Sequence, residues 1–175
     1  MNPWGHFKTI TRHRHMVMRN CFRVGLYRQG LCHDLSKCMS TEFWAGARYY
    51  QGTRSPNAAQ REEVGYSEAW MHHKGRNRHH FEYWTDLVEG KEGYQPVPMP
   101  YRYVVESVMD RIAASKVYKG DRYYAGCELD YLDYSGESKL MNPETAATLR
   151  ELLTLLKEQG EAAAFAQIRK TLKGK

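Results

Sequence analysis

The chain has 175 residues, which is enough for one domain with a sizeable hydrophobic core. No apolar run in it is long enough to span a bilayer, and Met1 to Thr11 lack both the apolar segment and the cleavage site of a signal peptide. These features exclude a membrane-spanning protein, and we expect a soluble, cytoplasmic protein with no membrane partner.

The net charge of +6 is unevenly distributed along the chain. Residues 1–80 hold 13 Lys/Arg, 5 Asp/Glu and all 8 histidines, whereas residues 81–175 hold 13 Lys/Arg and 15 Asp/Glu. A basic half that carries potential metal ligands suits an anionic substrate, most simply a phosphate ester. It also suits nucleic acid, for which the 13 tyrosines would offer stacking faces. A solvated basic surface without a partner is the third interpretation.

The 4 cysteines show no CxxC pairing. Scattered cysteines in a cytoplasmic chain are typically reduced and buried as small apolar residues. Cys32 and Cys38 flank a His-Asp pair, so a zinc site with thiolate ligands is an alternative, although the CxxC spacing of common structural zinc sites is missing.

Apolar residues at helical spacing predict a long, central first helix over residues 9–28, which Gly30 is expected to end. A short helix from Leu31 to about Lys37 is expected next, and it carries the adjacent residues His33 and Asp34. We expect the chain to be organised around this His-Asp pair.

The remaining helices are predicted from periodicity, capping residues and helix breakers. They run from Ser40, as N-cap, through Tyr50; from Ala58 to His73; from His79 to Glu89; from Tyr101 to Lys119; from Glu144 to Gln159, after the cap at Asn142 and Pro143; and from Glu161 to Leu172, after a break at Gly160. Residues 51–57 and 90–100 are predicted to be loops, and residues 121–138 have no clear assignment.

The sequence shows no convincing strand pattern and no internal repeat, so the predicted class is all-α. Residues 1–120 carry the candidate ligands and are predicted to form a metal-binding helical domain. Residues 121–175 are predicted to be a helical extension packed on the same domain.

An aspartate among apolar neighbours is costly unless something compensates its charge. For Asp34 the candidates are a metal ion, a salt bridge to an arginine, or exposure to water. Further potential ligands are His13 on the first helix and Asp110 within the apolar face of a later helix. Packed helices can direct such side chains at one point.

The segment from His72 to His80 has a His-His step on each side of a glycine-containing turn. Such a turn would fold the two steps toward each other, and short His-rich tracts favour metal binding. A polar loop whose histidines contact water is the alternative.

These residues predict a centre for one or two divalent metal ions between helices. The first ion would be held by His13, His33, Asp34 and Asp110. Asp34 would bridge to a second ion held by the His72–His80 segment. The mixed ligands admit Fe, Mn, Zn, Co or Ni, and Mg where carboxylates dominate.

Two further residues are predicted to act in catalysis together with Asp34. Lys37, one turn beyond Asp34, would reach a phosphate oxygen. Glu42 would be a further ligand or a general base, or its charge would merely complement the dipole of its helix.

The ordered motifs of residues 10–116 resemble those of the HD-domain metal-dependent phosphohydrolases. The H…HD…D signature of that superfamily is matched by His13, His33, Asp34 and Asp110, and its frequent HDIGK run is matched by HDLSK, with Ser36 in place of glycine. More narrowly, the chain resembles an uncharacterised HD-like family of bacteria and phages. The motifs of that family are HxxxV at His13–Val17, HDLSK at His33–Lys37, an acidic residue at Glu42, HHxxxNxHH at His72–His80, and a PMP-led helix with a late aspartate at Pro98–Asp110.

The resemblance implies an HD-domain-like helical bundle, here with two extra C-terminal helices, and a mono- or dinuclear centre that cleaves a phosphate ester. It favours His13 over His15 as a ligand. A binuclear branch of the superfamily takes ligands from a later His-His step, which His79-His80 resembles; His73 is predicted as a further ligand of the second ion. The GYP motif of that branch is absent.

The leading interpretation is a hydrolase, a metal-dependent phosphohydrolase acting on a nucleotide or another small phosphorylated substrate. The alternative is a catalytically silent HD-like module that binds nucleic acid or a protein partner, with stacking faces at Tyr123, Tyr124, Tyr131 and Tyr134. A structural metal in a non-enzymatic protein is the third interpretation. The oligomeric state does not follow from the sequence.

Overall fold

A computed structural model describes residues 1–174, and helices dominate this range. Its eight α-helices are α1 (Pro3–Val24), α2 (Tyr27–Cys32), α3 (Ser40–Arg48), α4 (Pro56–Val64), α5 (Glu68–Lys74), α6 (Tyr101–Lys119), α7 (Cys127–Ser135) and α8 (Pro143–Gly174). Short 3-10 helices are formed by Leu35–Cys38, Phe81–Tyr83, Gly120–Arg122 and Glu137–Leu140. A small antiparallel hairpin pairs β1 (Thr85–Leu87) with β2 (Tyr94–Pro96). The predicted all-α class is confirmed.

No helix within residues 1–174 combines the length and the apolar character that crossing a lipid bilayer requires.

The first helix begins and ends earlier than predicted. The side chain of Asn2 caps α1 by accepting a hydrogen bond from the backbone N–H of Gly5 at 2.8 Å, and Gly25 ends the helix in the left-handed conformation at φ 92°. Gly30 does not end α1. It lies inside α2, where an added Cβ atom would approach Cys21 Cβ to 2.9 Å. Gly30 thus allows α2 to fold back closely against α1.

The predicted helix from Leu31 to Lys37 is wrong, because the chain leaves helical geometry at the His-Asp pair. α2 ends before this pair; His33 has φ −54° and ψ 128°, and Asp34 takes the left-handed conformation at φ 53°. Aspartate tolerates this conformation better than most residues. The turn buries both residues, whereas the apolar neighbours Leu31 and Leu35 are half exposed.

Two other predicted helices are also wrong. The helix predicted over residues 58–73 is two helices, α4 and α5, separated at Gly65 with φ 82°. The segment predicted to be helical over residues 79–89 contains a 3-10 turn and β1, and β2 lies in the predicted loop. Each strand has only three residues, and its pairing partner lies on the other side of the connecting loop. The periodicity within either segment therefore did not reveal the pairing.

The helices after residue 100 follow the prediction more closely. α6 has the predicted bounds. Asn142 caps α8 by accepting a hydrogen bond from the backbone N–H of Glu144 at 3.0 Å, and Gly160, with φ 75° and ψ 171°, divides α8 into two helical parts. The unassigned residues 121–138 contain α7 between two 3-10 turns.

The hydrophobic core lies between α1, α6 and α8. One continuous cluster of buried apolar side chains includes Val17, Met109 and Leu153, one from each helix and each fully buried. Burying such side chains stabilises the fold by about 1.5–3 kcal/mol each. α8 therefore shares a core with the N-terminal helices, and the division at residue 120 stays a prediction. Packing of α1 on α6 also sets the positions of the polar residues on their facing sides.

Gly30→Ala is expected to destabilise the protein by about 1–3 kcal/mol, because the added methyl group would overlap Cys21 where α2 contacts α1. Gly75→Ala is the matched control, since Gly75 has helical backbone angles and its added Cβ would lie 3.4 Å from the Met71 carbonyl oxygen. The control is expected to be neutral or slightly stabilising. Urea unfolding compares the two variants, and equal stabilities would contradict the role assigned to Gly30.

Candidate metal centre

Seven side chains from four segments of the chain meet in the interior beside the core. They are His13 from α1, His33 and Asp34 from the turn after α2, His73 from α5 with His79 and His80 from the turn that follows, and Asp110 from α6. All seven were proposed as metal ligands from the sequence. The structure places them in two groups of four that share Asp34, and within each group the candidate ligand atoms lie within 4.8 Å of one another. These residues could hold a metal ion in either group.

Asp34 lies between the two groups, and each of its oxygens faces a different one. Its Oδ2 lies 3.4 Å from His33 Nε2 and 3.7 Å from His13 Nε2. Its Oδ1 lies 3.3 Å from His73 Nε2 and 3.5 Å from His79 Nε2. The side chain is 1% exposed. A carboxylate with its two oxygens divided in this way can bridge two cations.

Asp110 completes the first group from the opposite side. Its Oδ1 lies 2.9 Å from His13 Nε2 and 3.2 Å from His33 Nε2. Two imidazole nitrogens and two carboxylates converge here, which is a donor set that borderline divalent ions accept.

The second group contains three imidazoles and the other oxygen of Asp34. His73 Nε2 lies 2.9 Å from His80 Nε2, and the His79 and His80 rings are in contact with centroids 4.1 Å apart. Because this group is richer in nitrogen than the first, it suits Zn, Co, Ni or Fe better than Mg.

Two carboxylates outside these groups orient the histidines. Glu106 Oε1 lies 3.0 Å from His33 Nδ1 and 3.3 Å from His79 Nδ1, so one oxygen accepts hydrogen bonds from a histidine of each group. Glu42 accepts a hydrogen bond from His73 Nδ1 at 2.8 Å. With Nδ1 held in this way, the Nε2 atoms of all three histidines face Asp34, an arrangement that is typical of protein metal sites.

Hydrogen bonds hold the two sequence motifs and the first helix together around the centre. Asn77 donates from its side chain to Ser36 Oγ at 2.8 Å and to the His73 carbonyl at 2.8 Å. Arg14 on α1 donates to the carbonyls of His33 and Leu31 at 3.1 and 2.6 Å. The bond from Asn77 to Ser36 holds HDLSK against HHxxxNxHH, and the bonds from Arg14 hold the His-Asp turn against α1.

The polar atoms left without partners fit the binding of a cation. Both carboxylate oxygens of Asp34 and His79 Nε2 are buried and have no hydrogen-bond partner. Leaving such atoms unsatisfied costs about 1–3 kcal/mol each. Asp34 Oδ2 faces the first group, and Asp34 Oδ1 and His79 Nε2 belong to the second, so divalent ions at the two positions would satisfy all three atoms.

The charges of the first group act strongly on one another. Burial disfavours a charged imidazole, but the Asp34 carboxylate and the hydrogen bond to Asp110 raise the pKa of His33 well above its ordinary value. Burial also disfavours a charged carboxylate, yet His33 and Lys37 hold the pKa of Asp34 well below its usual range. Without a metal ion, a proton on His33 therefore balances the negative charge of the Asp34 and Asp110 carboxylates. A bound cation would take over this role.

Lys37 and Glu42, which were predicted to act in catalysis, lie at different places relative to the two groups. Lys37 Nζ lies 2.5 Å from Asp34 Oδ2, at the edge of the first group. Glu42 lies on the far side of His73 from Asp34 and also contacts His72 Nδ1 at 2.6 Å. Glu42 contacts the Nδ1 side of these rings and is in neither group, so the geometry favours an orienting role over the predicted catalysis.

Sequence reasoning missed Glu106, Ser36 and Asn77 as supporting residues. Glu106 had a detectable signal, because it precedes Asp110 by one helical turn and interrupts the same apolar stretch of α6. His15 is exposed, in agreement with the preference for His13. Cys32 and Cys38 are exposed and belong to no candidate metal group within residues 1–174, so the thiolate alternative finds no support.

A cavity of about 840 Å³ adjoins the centre. Its walls include His13, His80 and Asp110 from the two groups, and Lys37 beside them. A small molecule in this part of the cavity would therefore lie beside both candidate metal positions and the cationic side chain of Lys37.

Glu106→Gln is expected to weaken metal binding by about 10–100-fold at both positions, because it removes the carboxylate that orients His33 and His79. Glu42→Gln is the matched comparison and is expected to affect mainly the second position, through His73. A metal titration monitored by isothermal titration calorimetry measures the affinity of each of the two positions. Identical effects of the two variants on both sites would contradict this assignment.

Metal affinity is expected to fall as pH is lowered. Since the pKa of His33 is raised in the metal-free protein, His33 keeps its proton at neutral pH and an ion must displace it. Binding should therefore release protons, and affinity should rise with pH. Calorimetry in two buffers of different ionisation enthalpy measures the release. Affinity that stays constant between about pH 6 and 8 would contradict the expectation.

Comparison with known proteins gave one family assignment. Comparisons with curated proteins and with solved structures gave no match. The sequence pattern of one family matches residues 2–155, which include every residue of the candidate centre. The chain therefore belongs to the family described as a family of unknown function, DUF5662.

Proposed function

We propose that this protein is a metal-dependent phosphohydrolase that acts on a nucleotide or another small phosphate ester. The observation that carries the proposal is the position of Asp34, whose two oxygens face two separate sets of imidazoles. Paired cations bridged by a carboxylate are a common arrangement for displacement at phosphorus. The resemblance of the ordered motifs to the HD-domain phosphohydrolases supports the same activity.

The first ion would be held by His13, His33, Asp34 and Asp110, and the second by Asp34, His73, His79 and His80. Divalent ions at these positions would supply a water of lowered pKa and neutralise charge that develops on the phosphoryl oxygens. Glu106 and Glu42 already direct the Nε2 atoms of His33, His73 and His79 toward Asp34, which would reduce the rearrangement needed to bind the ions.

Lys37 is the residue that we assign to the substrate phosphate. The side chain of Lys37 lines the cavity and is partly exposed, which places it beside any anion that enters. Burial opposes its charge, but the neighbouring Asp34 and Asp110 carboxylates raise the pKa of Lys37, which keeps it cationic. A positive charge held beside the centre attracts a phosphate and orients it.

The nucleic-acid alternative has weaker support. Tyr131 and Tyr134 lie exposed on α7, as stacking would require. However, the same helix carries Glu128, Asp130 and Asp133 and has no basic residue in its last turn. Its negative charge would repel a phosphate backbone. The geometry therefore favours a small substrate in the cavity.

The test begins with metal content and not with activity. Protein purified without added metal is expected to carry about one to two equivalents of a divalent ion by mass spectrometry, or to bind them on titration. His13→Gln should lose ions from the first position, whereas His15→Gln on the same helix should not, because His15 is exposed. Less than about 0.2 equivalents together with no binding on titration would remove the proposal.

Activity is then measured on a panel of nucleotides and p-nitrophenyl phosphate with each candidate metal. Asp34→Asn tests the carboxylate with the least change to the fold, since asparagine also tolerates the left-handed backbone at this position and nearly preserves the side-chain volume. Turnover is expected to fall by at least about 100-fold, since one oxygen of the bridge is lost. A metal-loaded protein without turnover on any of these substrates would favour the structural-metal interpretation.

A further inference from the structure

A tyrosine on α6 lines the cavity two helical turns beyond Asp110. Asp110, Ala114 and Tyr118 are spaced by four residues each, so they lie along one side of the helix, and all three line the cavity. The Cα atoms of Asp110 and Tyr118 are about 12 Å apart along the helix axis, and long side chains on a helix extend back toward its N-terminus. This register directs the phenol of Tyr118 toward the first candidate metal position.

The groups that act on Tyr118 agree with this direction. Burial raises the pKa of its phenol, Lys37 lowers it, and Tyr50 and Asp110 raise it further. Charges act this way only on groups that are close to them. Lys37 Nζ itself lies 2.5 Å from Asp34 Oδ2. The phenol therefore lies in the part of the cavity that contains the ammonium group we assign to the substrate phosphate.

The hydroxyl group of Tyr118 is available to a ligand. It has no hydrogen-bond partner within residues 1–174, and it is not among the polar atoms that are buried without a partner, so it has accessible surface. Tyr50 also lines the cavity, but its hydroxyl is already bonded to Thr9 Oγ1 at 2.7 Å. Because its pKa is raised, the phenol of Tyr118 keeps its proton at neutral pH and remains a donor.

Ala114 leaves space between the phenol and the first metal position. Its methyl group is the side chain that lies between Asp110 and Tyr118 on the cavity side of α6. A larger side chain here would fill the region that both of its neighbours line. An anion that binds an ion at the first position can therefore lie over Ala114, beside Lys37 and within reach of the phenol.

We propose that Tyr118 is a substrate-binding residue whose hydroxyl donates a hydrogen bond to a phosphate oxygen, beside Lys37 and over Ala114. The inference rests on the proposed function for the identity of the anion. A phosphate group offers acceptors, and a neutral O–H donor beside an ammonium group satisfies two of them from different directions. Two donors on different elements, the turn after α2 and α6, fix the orientation of the phosphate more closely than Lys37 alone.

Inorganic phosphate is the probe, because its binding does not require turnover. It is titrated by calorimetry into wild-type protein and Tyr118→Phe, each with and without added Mn²⁺. Phenylalanine keeps the ring and its packing, so the variant is expected to bind phosphate about 10-fold more weakly and to bind Mn²⁺ unchanged. Tyr134→Phe is the control, since Tyr134 is 90% exposed on α7 and is not among the groups that act on Lys37. The control is expected to bind phosphate as the wild type does.

Ala114→Leu tests the space over α6. The longer side chain is expected to weaken phosphate binding by at least about 10-fold through steric exclusion. Mn²⁺ binding should be unchanged, because Ala114 belongs to neither group of candidate ligands. Unchanged phosphate affinity in this variant would mean that phosphate binds elsewhere and would contradict the inference.

Three outcomes separate this inference from its alternatives. Equal phosphate affinity of Tyr118→Phe and wild type would overturn it, because that result is expected if Tyr118 only packs against its neighbours. Failure of the wild type to bind phosphate under either condition would overturn it as well. If a substrate is hydrolysed, Tyr118→Phe should raise KM more than it lowers kcat. Phosphate binding that depends on Tyr118 in a protein without turnover on any substrate would instead count against the proposed function alone.

Discussion

The charge of one buried carboxylate organises this protein. Asp34 is almost completely excluded from water, in a left-handed turn, and four imidazoles together with Lys37 lie within ion-pair distance of it. Isolated burial of such a charge would be prohibitive, so the surrounding cations and donors are a condition for the fold as well as for any chemistry. Helix α1, the His-Asp turn, α5 and α6 all supply groups that satisfy this condition.

A second layer of hydrogen bonds gives the centre its rigidity. Glu106 contacts a histidine from each group, and Asn77 connects the two sequence motifs through Ser36. Such outer contacts fix which ring nitrogen faces inward, and they reduce the reorganisation needed when an ion binds. Ser36 stands where the HDIGK run that this motif resembles has glycine, and its hydroxyl accepts a hydrogen bond from Asn77. The substitution is therefore compatible with the arrangement and contributes to it.

Helix α6 contributes side chains both to the hydrophobic core and to the cavity. Its apolar side completes the core with α1 and α8, and its polar side carries Glu106 and Asp110 toward the histidines. Further along α6, Tyr118 lines the same cavity. The same helix thus connects the hydrophobic core with the residues that could hold a metal ion.

The sequence by itself determined the all-α class, the bounds of α6, the cap at Asn142, the break at Gly160 and the identity of the residues that meet at the centre. These features depend on local periodicity, on capping chemistry and on which side chains can bind cations. The separation of α4 from α5 at Gly65 and the short hairpin are local features that the apolar periodicity did not reveal. Tertiary structure decided the rest, since the non-helical turn at Asp34 and the orienting role of Glu106 depend on contacts between residues distant in sequence. Local propensity cannot anticipate such contacts, because the free energy that favours them appears only when the segments are packed together.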